Sequence, residues 1–171
     1  MTIDLRRGIV ELLPRLRRFS YALTGDADKG DELVQEACAR ALAGLDQWRP
    51  GTRLDSWMFK IAHNLWRDHK RASKVRGTQV SVDDALELPG EDGRDVVESR
   101  LTLSRVLEAM AKLPENQQVL IALVCVDGLS YKDAAAILGI PMGTVMSRLA
   151  RARRTLYEMA GESLENVESE R

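Results

Sequence analysis

Arg148, Arg151, Arg153 and Arg154 crowd into one short stretch, separated only by Leu149, Ala150 and Ala152. Guanidinium groups at that density suit phosphate oxygens and the guanine edge, which arginine reads bidentately. Winding the segment as a helix, at about 100° per residue, puts Val145, Leu149, Ala152 and Leu156 on one stripe. Ser147, Ala150, Arg151 and Arg154 take the opposite face, with Met146 and Arg153 on one flank and Arg148 on the other. A second constellation lies upstream. There Trp57, Met58, Ile61 and Leu65 share one arc of a helix, and Lys60, His63, Arg67, Lys70 and Arg71 share another. A basic stripe beside aromatics is what an unpaired nucleic acid strand needs, its phosphates tracking charge while exposed bases find aromatic or polar pockets. The loop Asp46 to Leu54 leads into this helix and adds Trp48, Arg49, Pro50, Gly51, Thr52 and Arg53.

The elements that hold these residues follow from local chemistry. Ser130 caps a short helix and Asp133, three residues on, completes a capping box. Gly139 supplies the backbone freedom that ends this helix, and Pro141 cannot continue its hydrogen-bond ladder, so the chain turns and restarts near Gly143 or Thr144. The result is a helix-turn-helix whose second helix carries the arginines. In the first half, Ile3 to Leu13 has a helical pattern, Pro14 marks a kink or a fresh start, and helicity runs on to Thr24-Gly25. The spacing predicts a second helix from about Asp28 to Leu45, with Leu33, Ala37, Ala41 and Leu45 inward, and a third from about Asp55 to Arg71.

Composition limits the alternatives. With 171 residues, 44% hydrophobic and 30% charged with few aromatics, the chain suits one or two modest helical cores. Its net charge of −1 conceals a division along the chain. Asp83, Asp84, Glu87, Glu91, Asp92, Asp95 and Glu98 face only Arg94 between residues 76 and 100, and Glu162, Glu165, Glu168 and Glu170 crowd the C-terminal end. The two blocks left outside these segments are net basic, as contact with nucleic acid requires. The acidic middle holds Gly77, Pro89, Gly90 and Gly93 without an apolar period and reads as a linker; its acids could serve solubility alone, or lie where DNA would go and shield the basic faces in the free protein. Cys38 and Cys125 lack paired spacing and nearby histidines, so free thiols are expected, with no metal site and no cofactor. No nucleophile with a base, carboxylate pair in an apolar setting or phosphate-binding glycine loop marks an enzyme. No signal-peptide or membrane-spanning stretch is found, so a cytoplasmic protein without membrane insertion is expected.

Three runs together carry a family resemblance. Asp31-Glu32-Leu33-Val34-Gln35-Glu36-Ala37 resembles the Asp-Asp-Leu-Val-Gln-Glu-Thr signature of bacterial sigma factors of the extracytoplasmic-function group. Arg53-Leu54-Asp55-Ser56-Trp57-Met58-Phe59-Lys60-Ile61-Ala62-His63-Asn64-Leu65 resembles the group's Phe-Arg-x-Trp-Leu-x-x-Ile-Ala-x-Asn run. Leu129 to Arg154 resembles its promoter-reading helix-turn-helix. The stretch from Leu13 to Gly25 is similar to alphaproteobacterial members, general-stress ones included.

The resemblance implies an all-α protein of two small helical domains joined by a flexible acidic linker. Residues 1–75 would bind core polymerase and capture melted minus-ten DNA, 76–97 would be linker, 98–160 would read the minus-thirty-five duplex, and 161–171 would be a disordered acidic tail. Four helices are expected in each domain. Asp31, Glu32, Leu33, Gln35 and Glu36 would meet the clamp of the polymerase's largest subunit. Trp48, Arg49, Arg53, Lys60, Asn64, Arg67 and Arg71 would meet minus-ten DNA, the loop holding a flipped base. Thr144, Ser147, Arg148, Ala150, Arg151 and Arg154 would meet minus-thirty-five DNA. An anti-sigma factor is the expected regulator, with Leu33, Val34 and Val119 to Val126 offered as part of its interface. The alternative is a sigma mimic that binds the anti-sigma factor as a decoy; it should have lost the basic stripe and the minus-ten loop, and both are kept.

Overall fold

In the computed structural model, the backbone is described for residues 2–77 and 93–169, and the side chains for residues 4–77 and 102–159. The described backbone is helical, without strands. The first unit is built from α1 (Thr2–Thr24), α2 (Ala27–Ala43), a 3-10 turn (Leu45–Gln47) and α3 (Leu54–Arg76). Asp26 opens α2 by accepting a hydrogen bond from the Lys29 amide at 2.9 Å, a side-chain N-cap. Ile9, Leu16, Phe19 and Leu23 bury one stripe of α1 against Leu33, Val34, Ala37 and Ala41 of α2 and Met58, Phe59, Ala62 and Leu65 of α3. Phe19 and Phe59 meet edge to face with centroids 5.0 Å apart. Gly30 lets α1 and α2 approach closely, since a Cβ there would sit 3.3 Å from the Tyr21 backbone.

The second unit comprises α4 (Gly93–Lys112), α5 (Glu115–Leu120), a π-helical turn (Ile121–Val126), α6 (Tyr131–Leu138) and α7 (Met142–Ser169). Met110, Val119, Leu120, Leu123, Ile137, Val145, Leu149 and Ala152 are among its buried side chains.

Several expectations need correction. Of the two readings open at Pro14, a kink or a fresh start, the fresh start falls away: α1 is one helix with Pro14 inside it, because the buried stripe on both sides of the proline outweighs a local penalty of about 3 kcal/mol. The first unit therefore has three α-helices and a 3-10 turn, where four helices were expected. α4 starts at Gly93, inside the segment read as linker, because the apolar spacing Val96, Leu103, Leu107, Met110 already has a helical period there. The backbone is helical to Ser169 where a disordered tail was expected; alanine, leucine and glutamate are strong helix formers and continue α7. The acidic stretch 78–92 lies outside the described residues.

The two units pack together. α1 lies against the π-helical turn and α4, and α3 lies against α6. Gln118 of α5 is buried, and its Nε2 donates to the Leu23 carbonyl at the end of α1 at 3.3 Å.

Candidate nucleic-acid interface

The helix-turn-helix forms as its residues dictate. The Ser130 hydroxyl accepts from the Asp133 amide at 3.0 Å, Gly139 adopts the left-handed conformation at φ +64°, and the Pro141 carbonyl starts α7 by accepting from Thr144 and Val145. One half of the expected capping box is diverted. The Asp133 carboxylate, which such a box would return to Ser130, bonds Arg53 of the first unit. Along α7, Val145, Leu149 and Ala152 are fully buried, and Ser147, Ala150, Arg151 and Arg154 face solvent. Thr144 is half-buried at the helix start. Arg153, expected on the flank, donates to the Tyr131 hydroxyl at 3.3 Å and to the Cys125 sulfur at 3.6 Å. It holds α7 to α6 and the π-helical turn. Arg148, on the other flank, is half-buried and turned toward the first unit.

The upstream loop is shaped by Arg49-Pro50-Gly51-Thr52. Thr52 donates its amide to the Arg49 carbonyl at 3.1 Å, and Gly51 has φ +86° after Pro50, the signature of a type II turn. Arg49 is thereby exposed at the turn, and Trp48 is half-buried beneath it. The Trp48 indole N–H is buried with no hydrogen-bond partner. Arg53 ends the loop as the N-terminal boundary of α3. It grips Asp55 with two hydrogen bonds, 3.1 and 2.7 Å, and reaches Asp133, so its guanidinium is held firmly protonated by the Asp55 bonds first and Asp133 second.

On α3, Lys60, Arg67 and Arg71 are exposed as expected and Asn64 is half-buried. Lys70 lies over the Trp66 ring at 5.8 Å, and Trp66 itself is core. His63, which shares the basic arc of α3, is half-buried. It lines a cleft of about 220 Å³ between the units with Trp66, Arg67, Glu115, Ile140 and Arg148. Burial first, then the Arg67 charge, push its imidazole down to about 4, against a smaller upward pull from Glu115. The minus-ten candidate Arg67 and the minus-thirty-five candidate Arg148 thus line one cleft.

Of the residues expected to meet a polymerase, Glu32 and Gln35 are exposed on α2. Asp31 accepts two hydrogen bonds from Arg17, at 2.9 and 3.0 Å, and Glu36 pairs with His69 at 2.8 Å. Leu33 does not belong with them. It is buried in the three-helix core, as is Val34, and Val119 to Leu123 are buried in the second unit. The apolar faces offered as an inter-domain docking surface are interior packing; of that set only Cys125 and Val126 are exposed.

The residues that the sequence did not single out are the acids and the arginine that join the units. Arg15 donates to Asp127 at 2.7 and 3.2 Å and to Asp55 at 3.1 Å, and it stacks over Phe59 at 5.3 Å. Burial would raise the Asp55 carboxyl, but the bonds from Arg53, the Ser56 amide and Arg15 outweigh it and hold the group below the usual carboxylate range. Lys74 meets Glu115 at 3.0 Å. These pairs span up to 112 residues of sequence, and no local pattern announces them.

Among the described residues no cluster of three or more His, Cys, Asp or Glu could hold a metal, and no helix is long and apolar enough to cross a membrane.

Residues 103–156 match the family described as Sigma-70, region 4, and residues 9–63 match the Sigma2 domain of PhyR. The chain is 38% identical over 156 residues to the ECF RNA polymerase sigma factor EcfG of Rhodopseudomonas palustris (strain TIE-1), covering 91% of this chain and 84% of that protein. It is 34% identical over 146 residues to the ECF RNA polymerase sigma-E factor of Escherichia coli (strain K12), covering 80% and 74%. Its structure is similar to that of the sigma factor RpoE in complex with the anti-sigma factor NepR from Bartonella quintana, with a TM-score of 0.74, 32% identity and coverage of 92% and 97%.

Proposed function

We propose a division of labour for this chain, which belongs to the extracytoplasmic-function (ECF) RNA polymerase sigma factors and so directs core polymerase to promoters and starts transcription. The first unit binds core polymerase through Asp31, Glu32, Gln35 and Glu36 and captures melted minus-ten DNA with Trp48, Arg49, Arg53, Lys60, Asn64, Arg67 and Arg71. The second places the outer face of α7, with Ser147, Ala150, Arg151 and Arg154, in the minus-thirty-five major groove, Thr144 standing at the helix start and Arg148 joining once the cleft to the first unit opens. It works in the cytoplasm and supplies no catalytic group of its own.

The observation that carries this reading is the solvent-facing row Ser147, Ala150, Arg151 and Arg154 on a helix whose other side is locked into the core. Small side chains between the arginines leave room for the groove floor, so guanidinium groups reach base edges and phosphates together. The first unit offers a second chemistry. Exposed Lys60, Arg67 and Arg71 track a backbone, and the half-buried Trp48 ring stands at the loop where a base out of the stack would lie. Binding only the flipped base stabilises the open duplex, so melting draws on binding energy and needs no ATP. The relative solved with NepR supports an anti-sigma factor as the regulator of this chain too.

Footprinting of the holoenzyme on a transcribed promoter tests the division. Arg151→Ala should strip protection from the upstream duplex element and leave melting at saturating protein. Lys60→Ala with Arg71→Ala should do the reverse. Identical footprints from both variants would sink it.

A further inference from the structure

Arg53 and Asp133 are 80 residues apart in sequence, and their side chains bond across the two units. We propose that Asp133, on the first helix of the helix-turn-helix, is an intramolecular competitor for Arg53, occupying with its carboxylate the guanidinium that melted promoter DNA would otherwise bind. This rests on the placing of Arg53 at the minus-ten strand.

The geometry supports the competition. A carboxylate and a phosphate offer the same paired oxygens to a guanidinium fork, so both cannot hold its outer edge together. Asp55 takes two of the Arg53 donors from within its own helix and fixes the side chain's direction. Of the three N–H groups left over, one on Nη1 goes to Asp133, which thereby takes a place on the outer edge that a phosphate would use. The contact is also partly exposed, the Arg53 side chain at 52% and Asp133 at 26%, so a phosphate can reach it and salt weakens it. Beside it, Arg15 ties Asp55 to Asp127 of the π-helical turn, and Arg67 and Arg148 line the cleft together. Arg67 and Arg148, one from each DNA-facing set, thus stand in one cleft while the row Ser147, Ala150, Arg151 and Arg154 stays in solvent, and moving α6 away from α3 frees Arg53 and opens that cleft at once.

Binding of the free, full chain to a fluorescent single-stranded oligonucleotide carrying the non-template minus-ten sequence tests this, together with small-angle scattering of each protein. Asp133→Asn, which leaves the helix cap on the backbone amide, should enlarge the radius of gyration and tighten binding by about three- to tenfold, because less of the population is closed. Asp28→Asn removes the same charge from the exposed first turn of α2, outside both DNA-facing sets, and should change binding less than about twofold. Combining Asp133→Asn with Arg53→Gln should abolish the gain. Equal tightening by Asp133→Asn and Asp28→Asn would reduce the effect to net charge and overturn the proposal. So would an opened chain whose DNA binding is unchanged. If adding Arg53→Gln leaves the tightened binding of the Asp133→Asn chain intact, the placing of Arg53 at the minus-ten strand fails instead, while the scattering result still reports on the contact.

Discussion

Arg15 of α1 and Asp127, at the end of the π-helical turn, form a two-bond ion pair across 112 residues of sequence, with the Asp127 side chain wholly buried. The Asp127 bond is the first cause of the raised Arg15 value, and Asp55 completes the arrangement. Removing one partner strands the other's charge away from water. Arg15→Met should therefore cost about 2–4 kcal/mol in urea unfolding, and Arg15→Met with Asp127→Leu should recover much of it. Additive losses in the double variant would show that the pair does not couple.

The pH dependence follows from His63. Its imidazole falls to about 4 from 6.5 on folding, so the folded chain binds fewer protons than the unfolded one. The stability this group contributes is complete above pH 6.5 and lost as pH falls from 6.5 through 4, by about 1–3 kcal/mol. Asp55, a lowered carboxyl, contributes in the same sense but is lost only below pH 3.8. The urea midpoint of the native chain should drop between pH 7 and pH 5, and His63→Gln should flatten that drop. An unchanged slope would place the titration elsewhere.

Leu33 separates packing from recognition on α2. Its side chain is 1% exposed, so Leu33→Ala should cost about 2–5 kcal/mol of stability. Charge reversal at Asp31 and Glu32 should instead weaken polymerase capture in a pull-down with little change in melting temperature. Unchanged capture would remove these acids from the polymerase surface.

Met142 and Met146 stand exposed on the flank of α7, 52% and 51%, next to the arginine face. Apolar side chains in a major groove contact the thymine methyl group. Uracil in place of thymine in the minus-thirty-five element should weaken the native holoenzyme several-fold, and Met146→Ala should lose that sensitivity. Equal sensitivity in both proteins would exclude the contact.

How much of this was legible in the sequence depended on the range of the interaction. Ser130, Gly139 and Pro141 act on their own neighbours, and the helix-turn-helix stands where they place it. The stripe Val145, Leu149, Ala152 declares itself through period alone. Pro14 leaves one helix or two open, and burial of Leu16 and Phe19 beyond it decides for one by overriding a local preference. Leu33 falls both on the inward stripe with Ala37 and Ala41 and in a run that reads as a recognition motif, and its burial upholds the stripe that period alone marks. The π-helical turn has no sequence signature, yet it carries Asp127 to Arg15. Arg53 with Asp133, and His63 in the cleft, exist only when the two units meet, and Asp133 could be assigned a complete local role as a cap without its distant partner.

The most direct measurement is transcription in vitro from a pool of genomic promoter fragments, with sigma-free core polymerase and this chain, followed by sequencing of transcript starts. The expected result is a set of defined starts sharing two spaced upstream elements, with Arg151→Ala and Arg154→Ala relaxing the base preference of the upstream element alone. Absence of defined starts while the chain still binds an anti-sigma factor, or an upstream preference untouched by both arginine variants, would contradict it.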